Sequence, residues 1–129
     1  MPYTIGYEES RFILIDVTGT LKASDVHQMI IDTAKMVKST NCYHVLSDYQ
    51  KAEIVGSTTE IFKMTNTFIE EMKREGIEYY KVKRAIIVSK NIEDFKFYET
   101  ASRNKGQLIG IFENRNKGIE WLSGMEGKI

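Results

Sequence analysis

One cysteine and one proline stand in 129 residues. A single thiol, Cys42, excludes an intramolecular disulfide and fits a reducing cytosol. With Pro2 the sole proline, no internal linker is marked by proline, and Ser/Gly-rich tracts, low-complexity segments and repeats are absent as well. Neither sign of charge is in excess. Eighteen basic and eighteen acidic residues cancel, so no global field collects nucleic acid or an anionic membrane. Apolar runs stop at about four residues, as in Phe12-Ile13-Leu14-Ile15, against the roughly 20 needed to span a bilayer. Met1-Pro2 leads straight into a strand-like pattern, without a charged-then-apolar leader. Two histidines and one cysteine give no recognisable zinc ligand set. No glycine-rich phosphate loop, G-x-S-x-G elbow or H-E-x-x-H motif is found. No metal, cofactor, nucleic acid or transmembrane segment is therefore expected.

What is there is an ordinary globular composition, 42% hydrophobic and 28% charged, which excludes disorder. The length suits one domain over residues 1–129, burying roughly two-thirds of its unfolded surface. Tyr3 to Tyr7 alternates apolar and polar side chains and predicts a strand with one buried face. Phe12 to Val17 is a second strand, apolar on both faces except at Asp16, and the short gap between the two predicts a hairpin. Gly19 is expected to end it. Val26, Met29, Ile30, Thr33, Ala34 and Val37 then recur at helical spacing, predicting a helix from about Ser24, its N-cap, to Ser39. Tyr43 to Leu46 reads as a short strand followed by a loop. Ser57 and Glu60 have the spacing of a capping box, and Ile61, Met64, Thr65, Phe68 and Met72 form the stripe behind it, stopped at Gly76. Ala85 to Val88 is a buried strand approached through Lys83-Arg84. A third helix opens at Asn91 or Glu93-Asp94, carries Phe95, Tyr98, Ala101 and Ser102, and ends at Gly106. Leu108 to Phe112 is the last strand and Lys117 to Leu122 the last helix. The order is ββαβαβαβα. Strands alternating with single helices after a hairpin predict an α/β fold, mostly parallel, with right-handed crossovers.

The third helix and its exit, Asp94-Phe95-Lys96-Phe97-Tyr98-Glu99-Thr100-Ala101-Ser102-Arg103-Asn104-Lys105-Gly106, are rich in aromatics. They are followed by a strand and a terminal helix ending in Trp121-Leu122. These features resemble the SpoIIAA-like (STAS/SEC14-type) bacterial domain family, over about Tyr3 to Leu122. The resemblance implies a short βα superhelix with successive strands side by side. It also implies a non-enzymatic interaction or regulatory module in the bacterial cytoplasm, paired as a homodimer or with another protein. Its SEC14-type side implies an alternative, the binding or carrying of an apolar small molecule or lipid. Six methionines, seven tyrosines, six phenylalanines and one tryptophan suit such walls, and suit an ordinary core equally. In phosphorylatable members of the resembled group a serine opens the second main helix in an Asp-Ser-x-Gly-type turn. Val55-Gly56-Ser57-Thr58-Thr59 holds the corresponding place, making Ser57 or Thr58 the phosphoacceptor-position candidates. Val-Gly replaces the preceding Asp, and the residues' own spacing reads Ser57 as an N-cap.

Several residues carry candidate chemistry. Asp48, Ser89, Asn91, Glu113 and Asn114 fall at or just past strand C-ends, where open parallel sheets usually keep their ligand crevice. Asp48 and Glu113 are a possible carboxylate pair for a small hydrolase or transferase, and the same residue types are what turns use. Cys42 and His44 share a strand face, but a nucleophilic dyad also needs an orienting group. His27 reads as a solvated helix residue. Tyr79 to Arg84 interleaves aromatics with cations. That pattern fits a headgroup or nucleic-acid patch, or a solvated approach to a strand, and a genuine footprint usually covers a face. Phe62 and Ile69 lie roughly 90° off the second helix's stripe, and Phe95 and Phe97 about 160° apart on the third. Their second home is a broad core, or a surface for a partner or a second copy.

Overall fold

The computed structural model describes residues 2–8, 11–90 and 92–124. Two strands, β1 (Tyr3–Glu8) and β2 (Phe12–Leu21), form an antiparallel hairpin with Tyr3 opposite Val17 and Ile5 opposite Ile15. Helix α1 (Ala23–Thr40), strand β3 (His44–Ile54), helix α2 (Thr58–Arg74), strand β4 (Lys83–Ile87), helix α3 (Ile92–Arg103), strand β5 (Leu108–Phe112) and helix α4 (Arg115–Ser123) follow, with one 3₁₀ turn at Tyr79–Lys81. The sheet order is β1-β2-β3-β4-β5, and all pairings after the hairpin are parallel. This is the α/β order expected from the alternating periods.

Alternation along each strand sorts side chains onto two faces. Ile13, Ile15 and Val17 of β2, Val45 and Tyr49 of β3, and Ile86 of β4 join the inner faces of α1, α2 and α3 in the main core. The opposite face presents Phe12, Leu46, Ala85 and Ile87 to Leu122 of α4. Strands β3 and β4 are thus covered on both sides, which is why Ala85 to Val88 reads as a continuous apolar run.

Boundaries differ from expectation at several places, among them the start of α4, at Arg115 rather than Lys117. Gly19 does not end β2. It takes a φ of +78° inside the strand, which continues to Leu21, fully buried against β3 partner Ile54. Strand β3 likewise runs on through the expected loop. Its register with β2 slips between Asp16 and Thr18, Asp16 facing Asp48 but Thr18 facing Lys51, so β3 holds one extra residue. That bulge moves the buried set from Val45, Ser47 and Tyr49 to Ala52, and the change of parity concealed the strand. Helix α1 begins at Ala23 with Lys22, not Ser24, at the cap, because Asp25 accepts the Lys22 backbone N–H at 2.9 Å. The Lys83-Arg84 approach is strand, and Arg84 is buried. At the end of α2 the prediction holds: Ile77 N–H bonds Met72 carbonyl oxygen at 2.8 Å and Gly76 N–H bonds that of Lys73 at 2.9 Å, a Schellman turn with Gly76 at φ +76°.

Helix α4 reaches the sheet through Gly118. A Cβ there would sit 2.7 Å from Ile87 Cδ1, 3.4 Å from Ala85 Cβ and 3.5 Å from Leu46 Cδ1. A full side chain cannot enter without lifting the helix. Gly118→Leu is expected to destabilise the fold by about 1–3 kcal/mol through overpacking, read as a lower urea midpoint. An unchanged midpoint would show that α4 is not seated as described.

Candidate functional site

A charged cluster lies midway along β2 and β3, level with the C-terminal end of β4. Asp16 and Asp48 are register neighbours on the α4 face of β2 and β3. Arg115, the first residue of α4, bridges them: Nε donates to Asp48 Oδ2 at 2.7 Å and a terminal nitrogen to Asp16 Oδ1 at 2.8 Å. The Asp48 side chain is 9% exposed and that of Asp16 48%, so the inner ion pair is the better shielded. The hydrogen bond to Asp48 does most to hold the guanidinium pKa above its ordinary value; burial opposes it, and the charges of Asp16 and Asp48 add to it. Asp48 also accepts the Gln50 N–H at 3.0 Å, stabilising the turn into the bulge.

The other strand-end candidates gather around this pair with structural partners. Ser89 Oγ donates to Gln50 carbonyl oxygen at 3.1 Å. Glu113 offers its backbone carbonyl to Gln50 Nε2 at 3.4 Å. Asn114 caps α4, its Oδ1 accepting the Lys117 N–H at 2.9 Å. Asn91 lies outside the described residues. Asp16 and Arg115 escaped the sequence reading. The signal for Asp16 was there, as the one charged residue inside an apolar strand, but Arg115 lies 99 residues away along the chain.

Ser57 forms both halves of the expected capping box: its Oγ accepts the Glu60 N–H at 3.2 Å, and Glu60 Oε1 accepts the Ser57 N–H at 2.9 Å. Thr58 supplies the first helical backbone position of α2. Cys42 Sγ points at the backbone carbonyls of His44 and Arg11, at 3.6 and 3.9 Å, rather than at an imidazole. Burial, and then the neighbouring Lys83, hold the His44 pKa below 6.5. His27 links α1 to α2, its Nε2 2.9 Å from the buried Glu71. Tyr80 is exposed and bonds Glu78, so the aromatic-cation segment is split between a solvated turn and the buried Arg84.

Phe62 of α2 and Phe97 of α3 come together although they are far apart in sequence. Their ring centroids are 6.4 Å apart, and the residues are 43% and 40% exposed. Lys105 Nζ sits 4.3 Å above the Phe62 ring and donates to Asn66 Oδ1 at 2.6 Å. Ile69, on the same helix line, is half-buried.

Beneath the helices lies a cavity of about 60 Å³, with Ile15, Ile30, Met64, Ile86 and Phe95 among its walls and Arg84 at its edge. The guanidinium stacks 3.7 Å above the Phe68 ring. One terminal nitrogen donates to Tyr98 Oη at 2.9 Å and the other to Gln107 Oε1, while Gln107 Nε2 donates to Thr65 carbonyl oxygen at 3.0 Å. Sequence reasoning missed this network because a basic residue at a strand start reads as surface. Tyr49, tilted against Phe95 at 5.2 Å between centroids, has its phenol pKa raised by burial.

No family model matches the chain, and no curated protein matches it in sequence. Solved structures do resemble it. A DUF3478-family protein with a SpoIIAA-like fold from Shewanella loihica PV-4 aligns with a TM-score of 0.54 at 16% identity, over 93% of this chain and 91% of that one. The anti-sigma factor antagonist SpoIIAA in its unphosphorylated form aligns with a TM-score of 0.53 at 8% identity, over 97% and 98% of the two chains. An anti-sigma factor antagonist from Mycobacterium paratuberculosis gives 0.57 at 6% identity, over 94% and 92%. The chain therefore has the SpoIIAA-like STAS fold that its third and fourth helices brought to mind. No helix among the described residues is long and apolar enough to cross a membrane.

Two outcomes follow from the local geometry. Ser57→Ala is expected to cost about 1 kcal/mol by removing the cap, while Ser57→Asp, which also caps, stays near wild type. Chemical denaturation distinguishes them, and equal losses in both would contradict the capping role. For His44, the folded state resists protonation. Above pH 6.5 the imidazole is neutral in folded and unfolded chains alike, and its contribution is complete. As pH falls below 6.5 the unfolded chain takes up the proton first, so stability declines until the folded imidazole also titrates. His44→Gln should flatten that part of the stability-pH profile, measured by urea unfolding.

Proposed function

We propose that this chain is a non-enzymatic, STAS-like interaction module of the bacterial cytoplasm, and that it pairs with a second copy of itself through the outer faces of α2 and α3. The observation that carries this reading is the Phe62–Phe97 contact. Two helices built from separate βα units place two half-exposed rings side by side. A large apolar side chain contributes roughly 1.5–3 kcal/mol when fully removed from water. Association first costs at least several kcal/mol of rigid-body freedom, so two adjacent rings help where one alone would not. The half-buried Ile69 extends the same strip. Two-fold pairing is the commonest arrangement of soluble homo-oligomers.

Two further observations support an interaction role over catalysis. Asp48 is engaged by Arg115, and the Cys42 thiol by backbone carbonyls. Two of the structural neighbours are anti-sigma factor antagonists, molecules named for opposing another protein. Which partner this chain meets besides itself is set by the same surface. Ser57 and Thr58, at the place of a phosphoacceptor, border the start of α2 and so lie on one of its two contributing helices. A second reading, uptake of an apolar small molecule, rests on the apolar cavity beneath α1, α2 and α3, whose size of about 60 Å³ falls short of an ordinary ligand pocket of roughly 300 Å³ and suits only a small guest.

Light scattering at tens of micromolar should give about twice the 14.9 kDa chain mass. Phe62→Asp and Phe97→Asp, made separately, should each shift the mass toward the monomer. A monomeric wild type at that concentration would refute self-pairing.

A further inference from the structure

Arg84 is 7% exposed, and no carboxylate among the described residues lies within ion-pair distance of it. Its hydrogen-bond partners, Tyr98 Oη and the Gln107 side-chain oxygen, are neutral, and its Nε–H has no partner among the described residues. Asp94 also lines the cavity, but it is exposed and makes no ion pair with the guanidinium. A buried guanidinium that stacks on an aromatic ring but has no counter-charge and an unanswered donor is costly, and natural proteins rarely keep one without a counter-group. The cavity that Arg84 borders is about 60 Å³ and walled mainly by Ile, Val, Met and Phe side chains.

We propose that this cavity binds a short-chain aliphatic carboxylate, its head group on Arg84 and its tail among Ile15, Ile30, Met64, Ile86 and Phe95. The proposal rests on the second reading above, uptake of an apolar small molecule, and names the class. A guanidinium edge is built to recognise a planar carboxylate through charge-assisted hydrogen bonds. Water would answer the Nε–H but leave the charge uncompensated. A phosphate would bring further charge and acceptor oxygens against walls that are mainly aliphatic and aromatic. Size narrows the tail. At about 10–15 Å³ of accessible volume for each water, the space of about 60 Å³ holds roughly four to six waters, enough for a chain of a few carbons and well short of a drug-sized pocket of about 300 Å³ or more. Met29 and Met64 are the adaptable parts of the lining and set how far a longer chain can be taken.

The test uses the full chain, nitrogen-15-labelled, titrated with sodium butyrate, with 1-butanol, and with sodium chloride at matched ionic strength. Butyrate is expected to move the Arg84 Nε–H resonance and to raise Tm, while chloride leaves both unchanged. Arg84→Met should bind butyrate at least about tenfold more weakly, reflecting loss of the charge-assisted contacts, and bind butanol as wild type does. Thr33→Leu narrows the cavity without touching Arg84, and should weaken both ligands. It keeps the proposal testable if Arg84→Met fails to fold, because Thr33 lines the same space. If butyrate and butanol bind the wild type alike, and Arg84→Met retains both, the carboxylate assignment is overturned while apolar uptake stands. A chloride response equal to that of butyrate also overturns the assignment. If the wild type binds neither butyrate nor butanol, the second reading falls with it.

Discussion

Burial of both faces of β3 and β4 is the constraint on which the structure depends. Leu46, Ala85 and Ile87 pack against α4 while Val45 and Ile86 pack against the other three helices. A strand covered on both sides leaves its neighbours little freedom. The crossover helices must be amphipathic, and α4 must approach closely enough that a glycine stands at the contact. Polar groups that enter these layers must bring partners. Asp48 has Arg115, and Gln107 has Arg84 and Thr65. Arg84 does so only in part, its Nε–H having no partner among the described residues.

The elements with a steady period were legible in the sequence. The stripes of α1 and α2 fall where their apolar residues recur, and Ser57, Gly76 and Gly106 mark ends by chemistry that acts over a few residues. Strand β3 beyond Leu46 was not legible, because a bulge reverses which side chains face inward, and a pattern that changes parity halfway looks like none. Gly19 misled for a related reason. A positive φ usually marks a turn, yet here it lies in a strand held on by Leu21.

The site was less legible than the fold. Asp48 could be singled out because it follows the expected end of the third strand at Leu46, although it lies inside β3; its partner comes from α4, and long-range pairing leaves no local trace. The strand-end crevice expected of open α/β sheets normally forms where the strand order reverses. Here the order along the sheet is the order along the chain, so no such reversal exists. Arg84 was hidden by its own chemistry, since a lysine-arginine pair before a strand ordinarily lies in water. Phe62 and Phe97 were recognisable as surplus on their own helices, but only the packing of α2 beside α3 makes them neighbours.

That same side-by-side strand order bears on how the chain assembles. Each βα unit adds its strand to the edge left by the one before it, β3 onto β2, β4 onto β3 and β5 onto β4. No strand has to be inserted between two already paired, and each loop to be closed spans one helix, a length at which closure entropy grows slowly. A chain emerging from the ribosome can therefore build the sheet in the direction it is made. The open edge at each stage is the one the next unit will cover, and it stays exposed only for the time taken to synthesise that unit.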